Sequence, residues 1–110
     1  MSYDVSLIIR TGPDSWATVC NGWNYTSNLG GLFVWAYGEP FGKTMDGISA
    51  TKASEILRKV IKKIESESTE NLQKFNPENN WGNWVTFLEF LKEIKVACDE
   101  NQYCKVSVYY

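Results

Sequence analysis

Asn76-Pro77-Glu78-Asn79-Asn80-Trp81-Gly82-Asn83-Trp84 is the stretch from which the fold is read, because it must separate two helices. A proline ring clashes with an α-conformation at the residue before it, so Asn76-Pro77 stops the preceding helix. Asn79 or Asn80 can accept from the free N–H groups of a following helix, which puts a helix start just beyond them. Trp81 and Trp84 stand at i and i+3, a spacing that sets both indoles on one face of that helix's first turn. Amides and indoles gathered at a helix N-terminus make either a clamp between loops or a binding surface.

Reading towards the C-terminus, a helix is predicted from about Gly82 to Asp99. Trp84, Phe87, Leu88, Leu91, Ile94, Lys95 and Cys98 fall on one stripe. Phe90 and Ala97 widen the apolar arc, so this helix is central in the fold or covered by a partner, a second copy included. Reading towards the N-terminus, Thr69 to Phe75 is one or two helical turns with Leu72 and Phe75 facing inward. Before it, Ser49 caps a helix that runs to about Ser66. Ala53, Ile56, Leu57, Val60, Ile61 and Ile64 recur there at three- and four-residue spacing, with Lys, Arg and Glu opposite.

The two ends of the chain read as strands. Val5, Leu7 and Ile9 alternate with their neighbours over Tyr3 to Arg10, and Thr11-Gly12-Pro13-Asp14 is a turn cluster. Ser15 to Asn21 resumes the β pattern and completes a hairpin that Asn21-Gly22 ends. Trp23 to Asn28 is read as a loop, because Asn, Thr and Ser side chains compete for backbone groups, with Ser27 or Asn28 capping the next element. Leu29 to Tyr37 is apolar throughout and is taken as helix on the strength of that capping loop. Tyr103 to Tyr110 closes the chain, with Cys104, Val106, Val108 and Tyr110 on one face. The expected architecture is α+β: one domain over 1–110, about three antiparallel strands, and two long helices on one face.

Gly38-Glu39-Pro40-Phe41-Gly42-Lys43-Thr44 imitates a phosphate loop. The spacing is one residue short of G-x-x-x-x-G-K-[ST], and Met45-Asp46-Gly47 is a turn, not a helix start.

Composition removes several classes of function. The 110 residues carry a formal charge of −2, and Arg58, Lys59, Lys62 and Lys63 are offset by Glu65, Glu67 and Glu70. These residues make a solvated helix face, and binding to a nucleic-acid duplex is not expected. Without histidine the usual hydrolytic triads and zinc sites lack a member, so no metal and no cofactor are expected. Cys20, Cys98 and Cys104 form no C-x-x-C; an odd count without a secretory leader points to free thiols in the cytoplasm. Paired carboxylates remain arithmetically possible, but Asp46 and Glu78 sit in turns where capping accounts for them, so an enzyme is not expected. No stretch is long and apolar enough to span a membrane. Aromatics make up 15% of the chain. That is more than a small core needs, although Trp16, Trp23 and Trp35 are read as core.

Asn24-x-Thr26-x-Asn28, a middle helix, Asn76-Pro77-x-Asn79-x-Trp81-Gly82 and a last helix ending in Ala97-Cys98 form a combination. From the first strand to Cys98 it resembles a group of small, uncharacterised proteins of bacteria and their phages. That group has glycine where this chain has Asn80. The resemblance implies an α+β domain in a phage or mobile-element setting and supplies no activity.

Two classes of function remain. In the first, Asn24, Thr26, Asn28, Asn79, Trp81 and Trp84 surround one depression that binds a small polar ligand, such as a nucleotide immune signal. Neutral amides hydrogen-bond without the desolvation cost of a charge, and an indole stacks. In the second, the protein is an inhibitor or adaptor, anti-CRISPR-like in its manner, that covers a host defence protein. The bland reading of the same residues is that the asparagines cap helices, lock the loops together, and seat Trp81 as a plug.

Overall fold

The computed structural model describes Met1 to Tyr110, the side chain of Asn21 excepted. Its element order is β1 (Ser2–Gly12), β2 (Ser15–Thr26), α1 (Gly30–Tyr37), α2 (Phe41–Met45), α3 (Ala50–Ser66), α4 (Thr69–Leu72), α5 (Trp84–Glu100) and β3 (Lys105–Tyr109). Short 3-10 turns at Ser27–Leu29 and Gln73–Phe75 precede α1 and follow α4.

The three strands form one antiparallel sheet in the order β2-β1-β3. Tyr3, Val5, Leu7, Val106 and Val108 are buried beneath the helices, whereas Asp4 and Lys105 point away. Each large apolar side chain removed from water in this way contributes about 1.5–3 kcal/mol. The Ser49 helix buries every residue of its predicted stripe, and its cap is the one foreseen, with Ser49 Oγ accepting from Lys52 N at 3.2 Å. α5 lies beside it and buries Phe87, Leu88, Phe90, Leu91, Ile94, Ala97 and Cys98. The wide apolar arc of α5 is therefore spent mostly inside the molecule. Among the described residues, no helix is long and apolar enough to cross a membrane.

Several local expectations are corrected. β2 does not stop at Asn21-Gly22 but runs on through Trp23-Asn24-Tyr25-Thr26, which pairs with Ser2 to Val5. The aromatic–polar alternation of these residues suits a strand, and pairing with β1 outweighs the local competition from Asn and Thr. Thr26, not Ser27 or Asn28, caps the next turn, by accepting from Asn28 N at 3.3 Å. Phe41–Met45 is a short helix within the stretch read as turns, although Gly42 and Thr44 are weak helix formers. Gly42 is where the ring of Tyr110 lies against the backbone; any β-carbon there would collide with it. Tyr110 thus packs through its ring although most of it remains exposed.

The sheet has unequal edges. Along β3 the segment from Asp46 to Ala50 takes up the outer backbone groups: Gly47 N donates to Val106 O (2.8 Å), Val106 N to Ile48 O (2.9 Å) and Ala50 N to Cys104 O (2.8 Å). Asp46 Oδ1 accepts from Val108 N at 2.9 Å. β2 has no strand on its outer side. β3 accompanies β1 only from Asp4 to Ile8, so the far end of the hairpin is a two-stranded ribbon. Trp16 lies there at 45% exposure, which corrects its assignment to the core, while Trp23 and Trp35 do pack against the core. Lys105 Nζ sits 5.2 Å from the Trp16 ring centre and partly covers it.

Candidate functional site

The two asparagine-bearing segments meet at the N-terminal end of α5. Tyr25, on the helix-facing side of β2, reaches across to this end. Its hydroxyl donates to Asn83 O (3.0 Å), accepts from Asn83 N (3.2 Å) and lies 2.6 Å from Thr86 Oγ1. Its ring stacks on Phe90, with centroids 5.0 Å apart.

The cap of α5 is Asn83, not Asn79 or Asn80. Asn83 Oδ1 accepts from Thr86 N at 2.9 Å, and Thr86 Oγ1 accepts from Asn83 N at 3.3 Å. This reciprocal box satisfies N–H groups that a helix start leaves free. Asn76 adds a further partner, since its Oδ1 accepts from Trp84 N at 2.8 Å. The helix therefore begins at Trp84 and Trp81 lies before it, so the two indoles do not share a helical face.

Gly82 is the point of closest approach between the segments. Its φ is +82°, and a β-carbon there would stand 2.7 Å from Thr26 Cγ2 and 2.8 Å from Tyr25 Oη. Asn80, at φ +61°, is in the left-handed region that asparagine tolerates better than most side chains.

Asn28 and Asn79 are spent on fixing the loop. Asn28 Nδ2 donates to Asn79 Oδ1 (3.3 Å) and to Trp81 O (3.4 Å), and Asn79 Oδ1 accepts from Trp81 N (3.0 Å). Both backbone groups of Trp81 are thus held by side chains, yet the residue is 71% exposed. The asparagines behave as a clamp, and Trp81 is not a plug.

Beside the indole is an open depression of about 310 Å³ lined by Met1, Ser2, Asn24, Thr26 and Trp81. Asn24 Nδ2 donates to Asp4 Oδ1 (2.6 Å) and to Ser2 Oγ (3.3 Å), and its Oδ1 has no side-chain donor among the described residues. Of the six residues expected around one depression, Asn24, Thr26 and Trp81 line it. Asn28 and Asn79 support the Trp81 loop, and Trp84 lies apart at the helix start, packed against the core. No Lys or Arg side chain lines the depression. Among the described residues, no buried side-chain polar atom lacks a partner, and no group of His, Cys, Asp or Glu could hold a metal ion.

Sequence reasoning missed Tyr25, Gly82 and Asn83 as the residues that join the segments, and Ser2 as a wall. Only Asn83 had a legible signal, the Asn-x-x-Thr spacing of a capping box.

The remaining reactive groups lie elsewhere. Cys20, Cys98 and Cys104 are free, and the last two are buried. Asn101 ties them together: its Nδ2 donates to Cys20 Sγ (3.4 Å), its N to Cys98 O (3.3 Å), and its O accepts from Cys104 N (3.0 Å). Burial, reinforced by the neighbouring Asp99 and the other two cysteines, pushes the Cys98 thiol up to about 12, so it is no nucleophile at neutral pH.

Comparison with protein-family models, with curated proteins and with solved structures finds no match to the chain.

Proposed function

We propose that this is a binding protein without catalysis of its own, and that it takes a small, planar, polar ligand on the exposed indole of Trp81. The observation that carries the reading is the state of that residue. Its backbone is fixed by Asn28 and Asn79 while the residue stays 71% exposed, so its ring buries little apolar surface against the rest of the chain. A held, bare indole is a stacking face with its ordering cost already met, and stacking a base on such a ring is worth about 1–3 kcal/mol.

The walls refine the ligand class. Asn24 Oδ1 and the Thr26 and Ser2 hydroxyls suit a nucleobase edge or a ribose hydroxyl. Asp4, bonded to Asn24, disfavours a phosphate at that wall. A nucleoside-like face is therefore the part recognised, with any phosphates pointing to solvent. In the phage setting that the sequence resembles, a host's nucleotide signal in the cytoplasm belongs to this class, and sequestering it would be the role.

The test is equilibrium dialysis against a panel of nucleosides and of linear and cyclic nucleotides, with wild type and Trp81→Ala. Saturable binding of one of them, lost in the variant, supports the reading. Binding unchanged in Trp81→Ala, or none across the panel, defeats it. A second reading, an inhibitor or adaptor covering a host protein, draws on the exposed aromatics Trp16, Tyr103, Tyr109 and Tyr110, which lie outside this depression.

A further inference from the structure

The unequal edges of the sheet point to a second site. β2 carries no charged residue and no proline over Ser15–Thr26, although these are the usual means of keeping an exposed edge from pairing. The β1–β2 register shows where the edge is irregular. Val5 pairs with Trp23, Leu7 with Cys20 and Ile8 with Thr18, so extra residues of β2 bulge at Asn21-Gly22 and at Val19. Beyond these bulges, Trp23 to Thr26 is a regular run opposite Ser2 to Val5.

Next to that run is an apolar groove of about 360 Å³ between Trp23 and α5, lined by Val96 and Ala97 and rimmed by Lys92, Glu93 and Glu100. Its place relative to the edge follows from helix geometry. The flank of α5 turned to α3 is marked by the contacts Lys92–Glu65 (2.7 Å) and Asp99–Ser54. At 100° per residue, Glu93, Ala97 and Glu100 lie about 80–160° round the helix from those contacts, on the side that shares the groove with Trp23 of β2. The groove therefore opens on the side where a fourth strand would lie, and Val96 stands in it 55% exposed.

The rim has a sign. Lys92 is engaged by Glu65, whereas among the described residues Glu93 and Glu100 have no ion-pair partner. The groove thus presents apolar walls under two uncompensated carboxylates.

We infer that the Trp23–Thr26 edge of β2 accepts an extended segment of a partner protein as a fourth strand, with an apolar side chain of that segment in the Trp23–Val96–Ala97 groove and a flanking basic residue against Glu93 and Glu100. Main-chain hydrogen bonds to an open edge supply affinity and the pocket beside it supplies selectivity, the division of labour in strand addition. A basic partner also discriminates against a second copy of this chain, whose own β2 is uncharged. Asn24 and Thr26 belong to this edge through their backbone and line the Trp81 depression through their side chains, whereas the groove is lined by Trp23 and α5.

The experiment uses the whole protein, labelled for NMR, and a capped hexapeptide Lys-Thr-Val-Thr-Val-Lys as probe. The peptide should shift the Trp23 indole signal and slow exchange of backbone amides within Trp23–Thr26. Val96→Lys, an exposed position that leaves folding intact, should weaken it by about tenfold through the lost apolar contact and the added like charge. Val85→Lys, also exposed on α5 but outside the groove, should not. Replacing the peptide's lysines by glutamates should weaken binding, and methylating its backbone nitrogens should abolish it. Trp81→Ala should leave it unchanged, which keeps this site distinguishable from the ligand site. No response at Trp23–Thr26, equal binding of the glutamate or methylated peptide, or indifference to Val96→Lys would overturn the inference. So would concentration-dependent dimerisation of the protein alone that Val96→Lys removes, because a second copy would then occupy the edge.

Discussion

The hydroxyl of Tyr25 both donates to Asn83 O at 3.0 Å and accepts from Asn83 N at 3.2 Å, so one phenol joins the sheet to the start of α5 across 58 positions of chain. This contact fixes the angle at which the helix leaves the loop, and with it the place of Trp81. Tyr25→Phe keeps the ring that packs on Phe87 and Phe90 but removes the hydroxyl. Loss of such a hydrogen bond costs about 0.5–1.5 kcal/mol, with the higher end expected because the Asn83 groups are part-buried. Urea unfolding of the variant should show a lower midpoint with an unchanged slope.

The turn at Asn80 makes a second test. At φ +61° a β-carbon is strained, and asparagine tolerates this better than alanine. Asn80→Ala should lose about 1 kcal/mol, whereas Asn80→Gly should stay within about 0.5 kcal/mol because glycine relieves the strain but frees the unfolded chain. Thermal melts of the two variants side by side decide it. Equal losses would mean that the Asn80 side chain is valued for a contact and not for its backbone conformation.

The buried thiols give the chain an alkaline limit. Cys98 is raised from 9.0 to about 12, and burial raises Cys104 and Tyr3 as well. A raised folded-state value means that the folded protein keeps its proton where the unfolded chain loses it. Their contribution is therefore fully present below about pH 9 and is lost as pH rises from 9 towards 12. Stability measured from pH 7 to 11 should be flat and then fall. Cys98→Ala should lower the plateau through its cavity yet make the fall shallower. In native protein at pH 8, a thiol reagent should find Cys20 first, and denaturation should expose Cys98 and Cys104 without reductant.

How much of this was legible depends on what each residue answers to. The Ser49 helix and α5 were readable because Ile56, Val60 and Ile64, or Phe87, Leu91 and Ile94, repeat at the helical period and nothing else competes. The continuation of β2 was not, because Asn24, Thr26 and Asn28 favour local capping, and only pairing of Trp23 to Thr26 with Ser2 to Val5 decides otherwise. Trp16 looked like core by residue type. It is exposed because β3 accompanies β1 only as far as Ile8, a length that no property of Trp16 reveals. At the site, the sequence identified the two segments that meet, but the residue that lets them meet is Gly82. Its signal is the absence of a side chain, which periodicity cannot register.

Trp81 and Gly82 are adjacent, and they should respond in opposite ways to the same substitution. Trp81→Ala truncates a residue that is 71% exposed, so stability should move by no more than about 0.5 kcal/mol, far from the roughly 3–5 kcal/mol of a buried aromatic. Gly82→Ala adds one carbon at φ +82°, 2.7 Å from Thr26 Cγ2 and 2.8 Å from Tyr25 Oη. Backbone strain of about 1–3 kcal/mol and the parting of the two segments should add, for a loss of roughly 2–4 kcal/mol. Melts of both variants, with binding measured on whatever remains folded, separate contact from clamp. A large loss for Trp81→Ala would show that the indole supports the fold after all, and would remove the argument that it is held bare for a ligand. A small loss for Gly82→Ala would mean that the loops can separate without cost, and that the depression beside Trp81 is not held in shape by the fold.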